Sequence, residues 1–417
     1  MTTTDTTARS EQPTTWRDTW RFPVLVFLGV LAVLLVVVQV SHDHLSPEHP
    51  RTGPDISDAA FYGGWMQYDT GWYVYLAEHG YDRHQVDLFK AGEMSAVAYF
   101  PVYPLTVHEV MRVVDDDPVL AAELTTAICG LAVMLLFWLW CGRRLSPAAR
   151  RTSLLLVALY PYAFFLYGSG YGDALFISLT VGAMVLLERD RPVLAGVAGA
   201  FASATRLIGV GTVIGLVAIT LQRRDAIVRT ELAPDDPPRH WWSGWRLDRT
   251  RLRGRDGGVL LGFAGIVSYC VFLWVRTGDF LAWNTVQSAP GWNQGTGPKT
   301  WIKYSFFAEV LRGSPGYGIR LVAQALLCLA FLIAIPFVFK RFGYGYAVYT
   351  TVILAIPLIG SSSFMGFGRY LLAAFPVFAL GGEALAERTM PRRVVLGTSA
   401  LFLLVLASFF GRGFYLS

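Results

Sequence analysis

The chain has 417 residues, of which 54% are hydrophobic and 16% are charged. Several uncharged runs reach the roughly 20 residues that a helix needs to cross a bilayer, and their continuous rather than alternating pattern excludes an outer-membrane β-barrel. The formal net charge of +5 does not indicate nucleic-acid binding, because the arginines cluster between the apolar runs as topology signals. The sequence therefore predicts an all-α polytopic membrane protein.

The first apolar run predicts an uncleaved span rather than a signal peptide. It covers 22–40, and no small-residue cleavage site follows it. The polar, threonine-rich residues before it predict disorder, so we assign 1–21 to a disordered cytoplasmic N-terminus and 22–417 to a single membrane-embedded domain. Ten further runs bring the prediction to about eleven spans. They are 119–141, 152–168, 173–188, 193–204, 207–221, 259–276, 319–339, 344–360, 370–387 and 394–410.

Arginine-rich segments set the predicted orientation. The segment CGRRLSPAARR at 141–151 and the loop 222–258 are rich in arginine and are predicted to be cytoplasmic. This constraint keeps 97–114 from crossing the membrane, so we expect an amphipathic surface element there. It also divides 193–221 into two short segments that turn near SATRLIG. The regions predicted to face outward are then the loops 41–118 and 277–318 and the short turns around 167–173, 203–209 and 361–369.

Other local patterns add little chemistry. HWWSGWRLDRTRLRGR at 240–255 predicts an interfacial helix with tryptophan anchors above basic residues. The four cysteines have no metal-ligand spacing and indicate small buried hydrophobes rather than disulfides. His79, His84 and His108 share no zinc spacing, and the chain has no Walker motif. We therefore predict neither a metal nor a cofactor.

The stretch WMQYDTGWYVYLAEHGY at 65–81 combines six aromatic rings with Asp69 at a predicted membrane surface. If this stretch is helical, Glu78 points away from Asp69, which does not favour the paired carboxylates of a retaining glycosidase. Asp69 is then either an acceptor for a substrate hydroxyl, among rings that suit a sugar face, or a capping or ion-paired residue of an interfacial helix. The residues on the Asp69 face would be Trp65, Trp72, Tyr73 and Leu76.

Arg206 lies at the break between two short apolar segments, at a depth where an unpaired cation is costly. Broken helices line ligand cavities, and a guanidinium suits a phosphate. The other interpretation is a structural ion pair with Asp173. Arg369, at the outward start of a span, is a second candidate for anion binding. Weaker candidates for positive charge near that surface are Lys299, Lys303 and Arg320.

In combination, these stretches resemble the PIG-V-like mannosyltransferases: the enzymes that add the second mannose to glycosylphosphatidylinositol, and their bacterial, notably actinobacterial, relatives. YDTGWYVYLAEHGY with AYFPVYPL, then YPYAFFLYGSGYGDALF, then ATRLIGV carry the match, and FGRYLLAAFPVF adds a weaker one. The motif order agrees over most of the chain. Two positions depart from the family pattern, since Tyr68 replaces a tryptophan and Gly172–Asp173 replaces Ser-Glu.

The resemblance implies the GT-C glycosyltransferase fold, with surface helices in the first outer loop. It implies a plasma-membrane inverting mannosyltransferase with a polyprenyl-phosphate mannose donor, acting on a lipid or glycan acceptor at the extracytoplasmic face. Asp69 would be the general base, and Arg206 and Arg369 would bind the donor phosphate. The expected partners are donor, acceptor and membrane lipids, without nucleic acid. Further substrate-pocket candidates are Trp65, Trp72, Tyr73, His79, Tyr81, Tyr99, Asp173, Gln287 and Lys299.

Three other functions fit the same sequence features. A lipid-linked-sugar flippase or transporter would also be polytopic with intramembrane charges, but it would not need an outward base. A transferase of the same fold would use another polyprenyl-phosphate sugar, such as arabinose or glucose. A scaffold subunit would have lost catalysis altogether.

Overall fold

The predicted all-α class is confirmed by the computed structural model. It describes residues 16–45, 63–81, 95–229, 244–288, 292, 294 and 297–416. Of the segment 1–21 predicted to be disordered, residues 1–15 lie outside the described part, and the prediction is wrong for 16–21, which belong to the first helix. The helices are α1 (Trp16–His44), α2 (Thr70–His79), α3 (Val102–Met111), α4 (Pro118–Gly142), α5 (Pro147–Ala158), α6 (Asp173–Glu188), α7 (Pro192–Ser203), α8 (Gly209–Arg223), α9 (Ala264–Thr277), α10 (Ala282–Gln287), α11 (Pro298–Trp301), α12 (Tyr304–Arg312), α13 (Pro315–Phe342), α14 (Tyr344–Gly360), α15 (Phe367–Tyr370), α16 (Phe375–Leu385) and α17 (Thr389–Gly411).

Five helices in the described ranges are long and apolar enough to cross a membrane. They are Trp20–His44 within α1, α4, the run Gly254–Thr277 that ends with α9, α13 and α17. The shorter apolar helices α7, α8, α14 and α16 accompany them. The chain is therefore a helical membrane protein, although its helices do not match the expected eleven spans one for one.

Two predicted spans are not continuous helices. In 152–168 the helix ends at Ala158, and a turn through Pro161 leads to a separate 3₁₀ helix, Ala163–Leu166. In 370–387 the backbone breaks at Ala374, and α16 begins with a proline in its first turn. In both cases proline is the physical reason, because its ring lacks an N–H and disfavours helical geometry in the residue before it.

The division of 193–221 into two segments is confirmed. α7 ends at Ser203, and α8 begins at Gly209, where a Cβ atom would lie 2.3 Å from the Ala202 carbonyl oxygen. The helix α3, within the element expected in 97–114, buries Tyr103 and Val107 and exposes Glu109, as expected of an amphipathic helix. Its position along the outer membrane surface stays a prediction.

The expectation of an interfacial helix at 240–255 is wrong for the described residues 244–255. A short strand β2 (Trp245–Leu247) pairs antiparallel with β1 (Ile227–Arg229). The β-branched pair at the start of β1 favours this ribbon, and the Arg229 guanidinium lies 5.9 Å from the Trp245 ring centroid.

The helix bundle has two chemically different ends. At one end, which we call the basic end, Arg144 and Tyr346 both contact the Glu188 carboxylate, and Arg341 donates to the Arg144 carbonyl at 2.7 Å. Because α6 ends at Glu188 and begins at Asp173, Asp173 lies at the opposite end of the bundle.

Close packing of α4 supports the turn that leads into α6. The helix begins where Asp117 accepts from the N–H groups of Val119 and Leu120, at 3.0 and 2.9 Å. Near its middle, a Cβ on Gly130 would lie 1.7 Å from the Leu166 carbonyl oxygen. Only glycine permits this approach, which positions the chain just before α6.

We predict that Gly130→Ala lowers the free energy of unfolding by about 1–3 kcal/mol, because the added methyl group overpacks this contact. Thermal unfolding in detergent measures the loss. Gly29→Ala in α1 is the matched control, since nothing lies within 4 Å of a Cβ at that position. A Gly130→Ala protein as stable as the control would contradict the close approach.

Candidate active site

Asp69 stands at the start of a helix rather than in the middle of one. The helix assumed for 65–79 begins only at Thr70, and Asp69 is its N-cap residue. Tyr68 before it has a φ of 54°, a left-handed conformation that interrupts a right-handed helix. The Asp69 side chain makes no capping hydrogen bond to the backbone of this helix, which leaves the carboxylate for other contacts.

Four charged side chains from four segments meet around Asp69, and we call them the charged cluster: Asp69, Asp173, Arg206 and Arg369. Arg206 Nη1 donates to Asp173 Oδ2 at 2.7 Å. Arg369 lies between both acids, with Nη2 3.6 Å from Asp69 Oδ2 and Nη1 3.7 Å from Asp173 Oδ2. The signs alternate and the sum is neutral, which permits burial of charges that would be prohibitive alone.

Arg369 is the most enclosed member of the cluster, with 5% of its side chain exposed. Its guanidinium carbon lies 5.0 to 5.6 Å from the ring centroids of Phe165, Tyr171 and Tyr370. Burial opposes its charge, but Tyr370 and the two aspartates raise the pKa of Arg369 well above its usual value. Its Nε and Nη1 atoms find no hydrogen-bond acceptor within the described part of the chain.

Asp69 is oriented from several directions. Tyr99 donates its hydroxyl to Asp69 Oδ1 at 3.1 Å, and the Asp69 backbone N–H donates to the Tyr171 oxygen at 3.3 Å. Burial and then the Asp69 charge raise the pKa of Tyr99 well above its usual value, so this hydroxyl remains a donor. Since a carboxylate oxygen accepts two hydrogen bonds, acceptor capacity remains for a ligand. The Asp69 side chain is 20% exposed, against 3% for Asp173.

The charged cluster borders a cavity of about 360 Å³, a volume typical of small-molecule sites. Asp69 is the one carboxylate among the described residues that line it. Uncharged groups from α10 and the segment after it, and from the end of α14, complete the wall. Across the whole described lining, the uncharged polar and aromatic residues are Tyr73, Tyr99, Phe100, Thr205, Trp283, Asn284, Gln287, Trp292, Gln294, Ser361, Tyr370 and Tyr415.

The cavity lining includes half of the predicted site residues. Six of them line it directly: Asp69, Tyr73, Tyr99, Arg206, Gln287 and Arg369. Asp173 lies behind the wall as the partner of Arg206. The two interpretations of Arg206 are therefore compatible, because it is paired with Asp173 and also borders the cavity.

The other candidates lie outside the cavity lining. Trp72 stacks on Tyr99, with ring centroids 6.0 Å apart. Trp65 is buried against Phe410 and does not share a face with Asp69, since the helix begins after both. His79 and Lys299 are exposed. Tyr81 borders a second, apolar cavity between α3, α7 and α9.

Sequence reasoning missed Tyr415, which reaches the cavity from the segment after α17. The Tyr68 hydroxyl donates to the Gly413 carbonyl, and the Tyr68 and Tyr415 rings meet edge to face at 4.7 Å. Burial raises the pKa of Tyr68 to about 12, which keeps this donor protonated. No sequence pattern predicts such a contact. Sequence reasoning also missed Asn284, Trp292 and Gln294, whose sequence signal is weak: they are two amides and an indole in a loop predicted to face outward.

Lys303 fixes another part of the cavity wall. Its Nζ donates to the Leu358 and Ser361 carbonyls at 2.5 and 2.6 Å, which caps the C-terminal end of α14. Ser361 lines the cavity and forms a β-bridge with Gln294. Burial lowers the pKa of Lys303 to about 8.

Comparison with known proteins identifies relatives for part of the chain. No family model matches it. It is 30% identical over 211 residues to GPI alpha-1,6-mannosyltransferase 2 of Rattus norvegicus, which covers 46% of this chain and 41% of that protein. The Homo sapiens protein of the same name is 28% identical over 218 residues, 47% of this chain and 42% of that one. The chain thus spans about two fifths of the length of these curated relatives. The resemblance to PIG-V-like mannosyltransferases is confirmed, over less than half of this chain rather than over most of it.

Two solved structures are similar to the whole chain at low identity. ArnT from Cupriavidus metallidurans bound to undecaprenyl phosphate has a TM-score of 0.49 and 15% identity, over 92% of this chain and 63% of that chain. The oligosaccharyltransferase AglB of Archaeoglobus fulgidus, in complex with an inhibitory peptide and a dolichol-phosphate, has a TM-score of 0.46 and 11% identity. The match covers 93% of this chain and 56% of that chain.

We predict that Asp173→Asn lowers the free energy of unfolding by about 3–5 kcal/mol, the usual effect of removing one partner from a buried ion pair. Two arginines would then share one carboxylate. Glu109→Gln is the control, because Glu109 pairs with Arg112 at 2.9 Å on the surface and such pairs contribute about 0–1 kcal/mol. Equal melting temperatures for the two variants would contradict the structural importance of the cluster.

Lys303 predicts a pH-dependent stability. Its folded-state pKa of about 8 lies below the usual 10.5, so between these values the unfolded chain binds more protons than the folded one. Stability from this group therefore rises with pH across that interval. The melting temperature of wild type minus that of Lys303→Met should increase from pH 8 to pH 10. Lys340 is exposed and serves as the control: the melting temperature of wild type minus that of Lys340→Met should stay constant over the same pH range.

Proposed function

We propose that the chain is a GT-C-class membrane glycosyltransferase that transfers mannose, with inversion, from a polyprenyl-phosphate donor to a lipid or glycan hydroxyl. The observation that carries the proposal is a cavity whose described lining residues include one carboxylate, Asp69, and two guanidinium groups, Arg206 and Arg369. A base and an anion site are the two elements that such a transfer needs. The mannose assignment is supported by the names of the curated relatives.

In the proposed reaction Asp69 accepts the proton of the acceptor hydroxyl. The hydroxyl oxygen forms a bond to the anomeric carbon while the bond from that carbon to the phosphate oxygen breaks, and polyprenyl phosphate leaves. A β-linked donor thereby gives an α-mannoside. Asp173 is nearly inaccessible and is paired with Arg206, which favours a single displacement over a mechanism with two exposed carboxylates.

The phosphate site is supported by the start of α8 as well as by the arginines. Residues 205–208 line the cavity, and the amides of Leu207 and Ile208 have no backbone acceptor in the described ranges. Free N–H groups and the helix dipole favour an anion at such a helix start. Arg206 uses Nη1 for Asp173, and its other N–H groups have no acceptor among described residues. These donors would stabilise the charge that develops on the leaving phosphate.

The proposed side of reaction is extracytoplasmic, at the plasma membrane. The charged cluster lies at the end of the bundle opposite the basic end, which carries Arg144 and Arg341. Arginine-rich helix ends are cytoplasmic under the positive-inside rule, so the cavity would open to the other side.

The test is transfer by purified protein in detergent. Polyprenyl-phosphate mannose is supplied with a panel of acceptors: phosphatidylinositol mannosides, lipoglycan fragments and mannosylated peptides. We expect Asp69→Asn to lower turnover by about 10²–10⁴-fold, the usual contribution of a general base. The matched control is Glu78→Gln, an exposed acid of the same helix, which should turn over like wild type.

The outcomes separate the competing functions. Equal transfer by wild type and Asp69→Asn would remove Asp69 from its role. Transfer from a polyprenyl-phosphate glucose or arabinose donor, but not from mannose, would keep the class of reaction and change the sugar. Movement of the lipid-linked sugar across proteoliposomes, without transfer and without an effect of Asp69→Asn, would indicate a flippase.

A further inference from the structure

Part of the cavity wall is chemically distinct from the charged cluster. The described residues of the helix α10 and of the segment after it contribute only uncharged polar and aromatic groups to the lining. We call Asn284, Gln287, Trp292 and Gln294 the amide–tryptophan shelf. None of its members has a role in the base or phosphate chemistry proposed above, so its composition needs a different explanation.

The shelf presents hydrogen-bonding capacity to the cavity. Asn284 and Gln287 are three residues apart, which places them on one face of α10, and both line the cavity. The Asn284 side chain has no hydrogen-bond partner in the described part of the chain, and Gln287 uses only Nε2, in a long 3.5 Å contact to the Ala98 carbonyl. A carboxamide both donates and accepts, which matches the alternating needs of neighbouring sugar hydroxyls.

The ring of Trp292 supplies an apolar platform beside these amides. It meets Tyr99 edge to face at 5.9 Å and Trp72 at 6.4 Å, so two other rings brace it. Tyr99 is also the residue that donates to Asp69. The Trp292 ring and the proposed base Asp69 thus contact the same side chain, Tyr99. A sugar that lies on this ring would therefore be close to the base.

The shelf is held in place by backbone contacts rather than by its own amides. Gln294 N–H donates to the Gln287 carbonyl at 3.1 Å, and Gln294 forms a bridge with Ser361. Apart from the long contact of Gln287 Nε2 to the Ala98 carbonyl, the described shelf residues use backbone groups rather than side-chain amides to build the wall. Polar groups left over in a preformed cavity are the ones that fix a ligand's orientation and specificity.

We infer that the amide–tryptophan shelf binds the ring of the transferred sugar and selects an uncharged polyol, with Asn284 and Gln287 as its specificity-determining residues. This inference rests on the proposed function and extends it. The described shelf residues include no group that would pair with the ammonium of an amino sugar or the carboxylate of a uronic acid. Desolvating such a charge against the shelf without a partner is costly, so the shelf favours an uncharged sugar ring.

The experiment compares polyprenyl-phosphate mannose with polyprenyl-phosphate glucose, two neutral donors that differ at one hydroxyl. For wild type we expect a clear preference in kcat/KM for one of them. In Asn284→Ala and Gln287→Ala, kcat/KM for the preferred donor should fall about tenfold, which corresponds to roughly one hydrogen bond. Because kcat/KM for the other donor should fall less, the preference should shrink. Binding of polyprenyl phosphate, which lacks the sugar, should change by less than about twofold in the same variants, as the inference requires.

Two further variants control for structural damage. Ser288→Ala, an exposed neighbour of Gln287, should keep the wild-type preference. Trp292→Ala should raise KM for both sugar donors, and Trp292→Phe should restore most of the affinity because it keeps an aromatic face.

The failures of the two proposals are distinguishable. Wild-type transfer with an unchanged donor preference in both amide variants would overturn the shelf assignment and leave the proposed function standing. Transfer of an amino sugar at the rate of the neutral one would also overturn it. Absence of transfer from every polyprenyl-phosphate sugar by wild type would overturn the proposed function, and the shelf assignment with it.

Discussion

Arg369 and the two carboxylates around it form the interaction on which the site depends. A guanidinium with 5% of its side chain exposed is stable in this environment only if negative charge surrounds it. Asp69 and Asp173 provide that charge at 3.6 and 3.7 Å. Because the three residues come from the segment before α2, the start of α6 and α15, their pairing forces these segments together. The cavity is what remains between them and α10.

The cluster also divides the chemistry between its two acids. Asp173 is shielded and paired at 2.7 Å with Arg206, so its charge serves to balance the arginines. Asp69 has a longer ion pair, one hydrogen bond from Tyr99 and a more exposed side chain. A carboxylate that is oriented but not saturated can accept one more hydrogen bond from a ligand. Exposure and geometry, rather than residue type, separate the balancing acid from the reactive one.

Most of the fold could be read from the sequence because it follows from hydrophobicity and arginine placement. The same constraint that put CGRRLSPAARR in the cytoplasm required a turn near Arg206, and the structure has that turn. The start of α2 could not be read in this way. Tyr68, whose φ is positive, contacts the segment after α17, some 345 residues away, and no local pattern indicates this contact.

The site was predictable to the extent that single charges at helix breaks are costly and therefore noticeable. Arg206 was identified in this way, Asp173 as its possible partner, Arg369 as an outward charge at the start of a span and Asp69 as an acid among aromatic rings, and all four meet in one cluster. The uncharged wall was mostly missed, because an asparagine or tryptophan in an outward loop violates no physical rule. Only its convergence on the same cavity as Asp69 makes it noteworthy.

The choice between a structural and a ligand-binding Arg206 was posed from the sequence as an alternative, and guanidinium chemistry removes the conflict. A guanidinium carries five N–H donors in a fixed plane. One edge can hold Asp173, which compensates the charge when no ligand is present, while other donors remain at the cavity. A lysine ammonium is a single point charge, so the carboxylate and the phosphate would compete for it. The ion pair is thus what allows a cation to be kept at a broken helix in a membrane protein, in position for an anion.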